Sequence, residues 1–151
     1  MIAMYNYKEA KDLLSTGETD FDGLKSESTI KSAEKALGLR FPPSYRQFLL
    51  DFGCGDFNGI EIYGIIDDNF ESSSAPNGVW LTLNERSEIS LDSKYIIIGS
   101  SGSGEYFAID ALDVDDFGEG PVVLLSPNGY YCMHVAASFG AYLLGCARSV
   151  R

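Results

Sequence analysis

His134 is the single histidine of the chain, and Cys132 lies two residues before it, so any thiol and imidazole pair has to be built there. Residues two apart on a strand project from the same face, which would set these side chains side by side. A reactive thiolate also needs an accessible, electropositive setting. Tyr130, Tyr131, Met133 and Val135 instead describe a strand running into a helix, with Cys132 in the interior. Packing is the better reading of the pair.

Two glycine-bearing stretches invite other chemistry. In residues 99–104 the glycines would let backbone amides close on an anion, yet a Walker-type loop needs Lys then Ser or Thr and a following helix. Here Glu105 follows, a strand pattern comes next, and Phe107 stands where a dinucleotide fingerprint has its third glycine. A hairpin turn accounts for the stretch better. Asp113, Asp115 and Gly118 occupy positions one, three and six of a calcium loop. Position five is Phe117 and position twelve is Leu124, neither of which ligates, so the segment reads as an acidic surface loop. Neither a metal site nor a cofactor site is expected.

Glu34 poses a different question. It sits four residues after Ile30, on the apolar face of a helix, where an unpaired carboxylate is costly. No second titrating residue accompanies it, which argues against acid–base work. Unsatisfied amides at the start of the next helix, within residues 41–45, would give it a structural role as a cap.

The elements that hold these residues are legible from period and punctuation. Residues 5–14 form a first helix, and residues 17–23 a polar connection. A second helix starts near Ser26 or Ser28, aligns Ile30, Ala33 and Leu37, and stops at Gly38. Pro42 and Pro43 mark the corner into a third, where Tyr45, Phe48, Leu49 and Phe52 share a face before Gly53 and Gly55. Asn58 and Gly59 signal a turn, and residues 60–65 read as a strand with Glu61 outward. Residues 67–78 are loop by composition and are expected to be mobile. Residues 79–89 fit a strand or a helix. Residues 94–98 and 106–110 form one hairpin, 122–125 and 130–133 another, and 135–148 a closing helix with Val135, Phe139, Tyr142, Leu143 and Cys146 on one face.

At 151 residues the chain has the length of one domain and can bury roughly two-thirds of its unfolded surface. Its twenty-two acids against eleven Lys and Arg give a net charge of -11, which disfavours nucleic-acid binding and favours a basic partner. Three cysteines, Cys54, Cys132 and Cys146, leave one unpaired in any disulfide scheme and suit a reducing compartment. With no secretory pattern at the N-terminus and no apolar run long enough to span a bilayer, a cytoplasmic protein without membrane contact is expected.

Ile30, Glu34, Leu37, Gly38, Phe41, Pro42, Tyr45, Arg46, Phe48, Leu49, Phe52 and Gly53 together resemble the opening motif of the SUKH superfamily. That superfamily includes fungal cell-wall synthesis regulators and many bacterial toxin-immunity proteins. The resemblance continues through the strand at residues 60–65, through Ile97, Ile98 and Gly99, through residues 106–110, and to Ala137, Ser138, Phe139 and Leu143. It favours a helix over residues 79–89. The expected fold is a single α+β domain over residues 1–151, with a central, mostly antiparallel or mixed sheet of about five or six strands. N-terminal helices and a C-terminal helix would flank it.

The resemblance implies a non-enzymatic binding protein: an immunity protein that neutralises a cognate toxin by direct contact, or, alternatively, a regulatory or scaffold domain acting on a host protein. Charge adds that a basic, nuclease-type toxin would suit it. Candidate contact residues are the acids in or beside loops, Asp56, Glu61, Asp67, Asp68, Glu71, Asp113, Asp115, Asp116 and Glu119. Glu34, Gly38, Pro42, Tyr45, Phe48 and Gly53 are assigned to the scaffold. Tyr63, Trp80, Tyr106 and Tyr131 are candidates to line a cleft between sheet and helices.

Overall fold

A computed structural model describes residues 2–57, 59–71, 73–74 and 77–149. Helix α1 (Ile2–Leu14) buries Ala3, Tyr7, Ala10 and Leu14 along one face and lies against the final helix, α5 (Phe139–Ser149). After it comes strand β1 (Thr19–Phe21), inside the stretch expected to be only a polar connection. Helix α2 (Glu27–Leu37) begins at Ser26, whose Oγ accepts from the Thr29 amide at 3.2 Å, and closes at Gly38 with φ of 69°. Ile30, Ala33 and Leu37 are buried, as their spacing requires. Glu34 is half-buried, and its Oε2 accepts from the Phe41 amide at 2.7 Å.

Helix α3 (Pro43–Phe52) has a proline at its N-cap, Pro42, which has no side-chain oxygen to offer the first amides. That task falls to Glu119, from the far end of the chain. Its Oε2 accepts from the Ser44 amide and its Oε1 from the Ser44 hydroxyl, both at 2.8 Å. The same Ser44 Oγ accepts from the Gly140 amide at 3.0 Å, so three segments meet at one buried point. Glu119 is 3% exposed, which corrects its expected place on a partner-facing surface. A loop rich in acids hid one carboxylate that is buried to hold a helix start.

Along α3, Tyr45, Phe48 and Leu49 are buried. Tyr45 and Phe48 pack on Phe139 of α5 with ring centroids 4.9 and 5.3 Å away, and the Tyr45 hydroxyl donates to the Tyr63 carbonyl at 2.9 Å. The helix ends at Gly53, where a side chain would collide with the Gly23 and Ile65 carbonyls at 2.8 and 2.9 Å. Glycine is needed there for space as well as for its φ of 74°.

Strands β2 (Gly55–Phe57) and β3 (Ile60–Ile62) complete an antiparallel sheet ordered β1-β2-β3. The expected strand over residues 60–65 therefore stops at Ile62. The Tyr63 amide leaves that ladder and donates to the Ile98 carbonyl at 2.8 Å, and the Ile65 amide turns to the Gly53 carbonyl at 2.9 Å. Asn58, in the expected turn, and Ser72, Ala75 and Pro76, in the expected mobile loop, lie outside the described residues. Helix α4 (Gly78–Glu88) replaces the helix-or-strand ambiguity of residues 79–89 with a helix capped by Asn77, whose Oδ1 accepts from the Trp80 amide at 3.1 Å.

A second antiparallel sheet follows, ordered β4 (Tyr95–Ser100), β5 (Tyr106–Asp110), β6 (Val122–Leu125) and β7 (Tyr131–Ala136). The fold is α+β, but its strands divide three and four between two sheets where one sheet of five or six was expected. Ile96, Ile98, Ile109 and Val122 face the core shared with α3 and α5, whereas Ile97, Ala108, Val123 and Leu125 join Tyr63 and Leu91 on the other side. This double burial explains the uninterrupted apolar run in β4. Val135 and Ala136 belong to β7, so the closing helix starts four residues later than its periodicity implied.

Replacing Glu119 with Ala orphans a buried amide and hydroxyl and should lower unfolding free energy by about 2–3 kcal/mol in chemical denaturation. Glu34→Ala removes one bond at a wetter place and should cost about 1–2 kcal/mol. Burial raises the Glu119 carboxyl above its ordinary range, against the opposing pull of the Ser44 bonds. Between its unfolded and folded values the native state then binds more protons than the unfolded one, so this group's contribution falls as pH rises through that window. Glu119→Gln should flatten that part of the stability-against-pH curve.

Candidate functional site

The structure brings together only two of the nine acids proposed as contacts, and adds a third that sequence reasoning missed. Asp56 on β2 pairs directly with Glu61 on β3 and, on its other side, with Asp20 on β1. Three carboxylates thus stand in a row across the small sheet. Its other face carries Phe57 and Ile62, both buried, so alternation forces the acids outward. Directly opposed like charges destabilise a strand pair. Among the described residues no Lys or Arg forms an ion pair with any of the three. No group of three or more His, Cys, Asp or Glu among those residues could hold a metal ion either.

The remaining acids are placed elsewhere. Asp67, Asp68 and Glu71 are exposed beyond Ile65, which is tied to the C-terminal end of α3. Asp113, Asp115 and Asp116 are exposed in the loop that Glu119 fastens to the other end of that helix, about 15 Å away along its axis. Asp115 also has a local task, since its Oδ1 accepts from the Phe117 and Glu119 amides at 2.8 and 3.0 Å. These remaining acids therefore lie at two separate places, apart from the row.

Beside the acid row opens a cleft of about 790 Å³ between β3, the β4–β5 turn, β7 and α5. Its apolar walls include Ile60, Phe107, Val135 and Tyr142, with the Phe107 and Tyr142 rings 5.4 Å apart. Of the four aromatics proposed for a cleft, Tyr63 lines it. Trp80 and Tyr106 are half-buried elsewhere, and Tyr131 is exposed on β7. Phe107 and Tyr142 went unnoticed because each reads as ordinary core.

Cys132 is exposed, against the expectation of burial, because β7 is an edge strand whose residues from Tyr131 to Val135 are all open to solvent. Neither it nor His134 lines the cleft. The thiol that does, Cys146, is pushed up by burial and is correspondingly unreactive. Burial likewise raises the Tyr142 phenol. The site offers shape and negative charge, with neutral hydroxyls and thiol.

The scaffold residues and the site share one frame, and the comparison with known families fits it. The SUKH_6 family, described as SMI1-KNR4 cell-wall, matches residues 27–143. The chain belongs to this SUKH family. The match runs from the first residue of α2 into α5, so it takes in most of the cleft walls, Asp56 and Glu61, while Asp20 lies before it and Gly145, Cys146 and Ser149 after it. No match was found among curated proteins. In this SUKH chain, no helix among the described residues is long and apolar enough to cross a membrane.

If the acid row is held against its own repulsion, relieving it should stabilise the fold. Asp56→Asn, at the centre of the row, is expected to raise the melting temperature by a few degrees, in line with roughly 0.5–1 kcal/mol. A fall would mean that Asp56 has a structural partner.

Proposed function

We propose that this protein is an immunity protein that neutralises a cognate toxin by binding it directly and covering its active or substrate-binding surface. The observation that carries the reading is the row Asp20, Asp56 and Glu61, three opposed carboxylates without ion-pair partners among the described residues, whose end member Glu61 lines an apolar cleft. Such a row lowers stability and raises local negative potential, a combination that suits recognition of a basic surface. A net charge of -11 extends the same field and would speed encounter with a basic, nuclease-type toxin. Membership of a family that includes immunity proteins supports the class. The reading is of a binding protein, not an enzyme.

A second reading, a regulatory domain acting on a host protein, draws on the cell-wall description of the matching family. Co-expression separates the two. An immunity protein rescues cells from the toxin encoded beside its gene, whereas a regulator leaves them unprotected. In the rescued pair, the association rate should fall at least about tenfold from low to physiological salt, and neutralising Asp20, Asp56 and Glu61 together should flatten that dependence. A rate indifferent to salt would remove the electrostatic part of the proposal.

A further inference from the structure

The cleft beside the acid row has a polarity that narrows what it can hold. Among the described residues that line it, Glu61 is the one that carries charge, and it enters from the β3 side. The opposite walls come from β7 and α5, in a part of the chain that has no Asp or Glu from Gly120 onward. Negative charge is therefore confined to one rim, where Asp56 and Asp20 extend it across the sheet.

A second feature shapes the apolar wall. Between β6 and β7 the register shifts, with Val122 opposite Ala136 and Val123 opposite His134, so Val135 is an extra residue on β7. Neighbouring residues on a regular strand face opposite sides, but at this bulge both Val135 and Ala136 line the cleft. Bulges commonly re-aim side chains beside functional sites. Here the result is two adjacent aliphatic residues, Val135 and Ala136, in a lining that also holds Ile60 and the rings of Phe107 and Tyr142.

A lining of methyls and two aromatic rings that holds a single carboxylate is complementary to a long aliphatic stem that ends in a positive charge. We infer that the cleft is an anchor site for a basic side chain, arginine or lysine, on an extended segment of the protein partner. The stem lies on Val135 and Ala136, the cationic head reaches Glu61, and the rings of Phe107 and Tyr142 add cation–π attraction. The volume leaves room for a few flanking residues, so the anchor arrives on a loop or a chain end. An uncharged apolar side chain would leave Glu61 unpaired. An acidic one would be repelled by the whole row. The inference rests on the immunity reading for the partner's identity, but the chemistry of the cleft can be tested without a toxin.

The probe is the tripeptide amide Ala-Arg-Ala, titrated into the full chain and followed by the ring resonances of Phe107 and Tyr142, with Ala-norleucine-Ala and Ala-Glu-Ala as controls. Saturable shifts for the arginine peptide alone are expected. They should be lost in Val135→Lys, which places a competing cation in the cleft, and reduced at least about tenfold in affinity in Glu61→Gln. Val135 is 37% exposed, so the lysine variant should melt close to the native protein. Should it misfold, Glu61→Gln alone carries the comparison, because Glu61 is exposed. Equal shifts for the norleucine peptide, or none for any peptide, would overturn the anchor. In cells, Val135→Lys should abolish rescue from the toxin while the native chain retains it. Rescue unaffected by that variant overturns the anchor and leaves immunity standing, whereas peptide binding without rescue by the native chain overturns immunity and leaves the anchor.

Discussion

A carboxylate near the end of the chain caps a helix near its beginning, and much of the structure hangs on that contact. Helix α3 starts with two prolines and has no oxygen of its own for its first amides. Glu119 supplies both oxygens to Ser44, and the Ser44 hydroxyl oxygen accepts in turn from the Gly140 amide at the start of α5. Once α3 is fixed there, its apolar face brings Tyr45 and Phe48 against Phe139, and its far end delivers Gly53 to Ile65. Strand β2, the middle strand of the three-stranded sheet, begins directly after that end. Glu34 makes the corner before α3 rigid in the same manner, by holding the Phe41 amide.

Carboxylates in this chain consequently do two different jobs, and burial tells them apart. Glu119 accepts from an amide in the first turn of α3, and Glu34, less completely buried, from the Phe41 amide in the corner before it. Asp20, Asp56 and Glu61 face outward, and among the described residues no Lys or Arg forms an ion pair with them. The first group stabilises the fold and the second works against it. Arranging them on one chain requires that the destabilising row sit on a small sheet whose other face is well buried by Phe57 and Ile62.

The helices were the most legible part of the sequence. Their boundaries follow from Ser26, Gly38, Pro42 and Gly53, each acting within a turn or two of its own position, and the apolar spacing fixes which face is buried. The hairpins of the second sheet were legible for the same reason, since turn and strand lie within about twenty residues. Short strands were not. Three residues give too little alternation to separate β1 from a polar connection, and so Asp20 was missed. The start of α5 was misplaced because Val135 and Ala136 fit a helical stripe as well as they fit β7.

What the sequence determined by itself was local: helix limits, turns, the family's opening motif, and the strong acidity of the whole. Tertiary structure alone decided which acids meet. Asp20 and Glu61 are forty-one positions apart and become near neighbours only through β2, while Glu119 leaves its own acidic loop for a helix seventy-five residues earlier. Side-chain periodicity is a short-range signal, whereas strand pairing and capping in trans are set by the best packing of distant segments. The composition announced that this surface is negative. The fold determined that the negative charge forms a row, and that the row borders an apolar cleft.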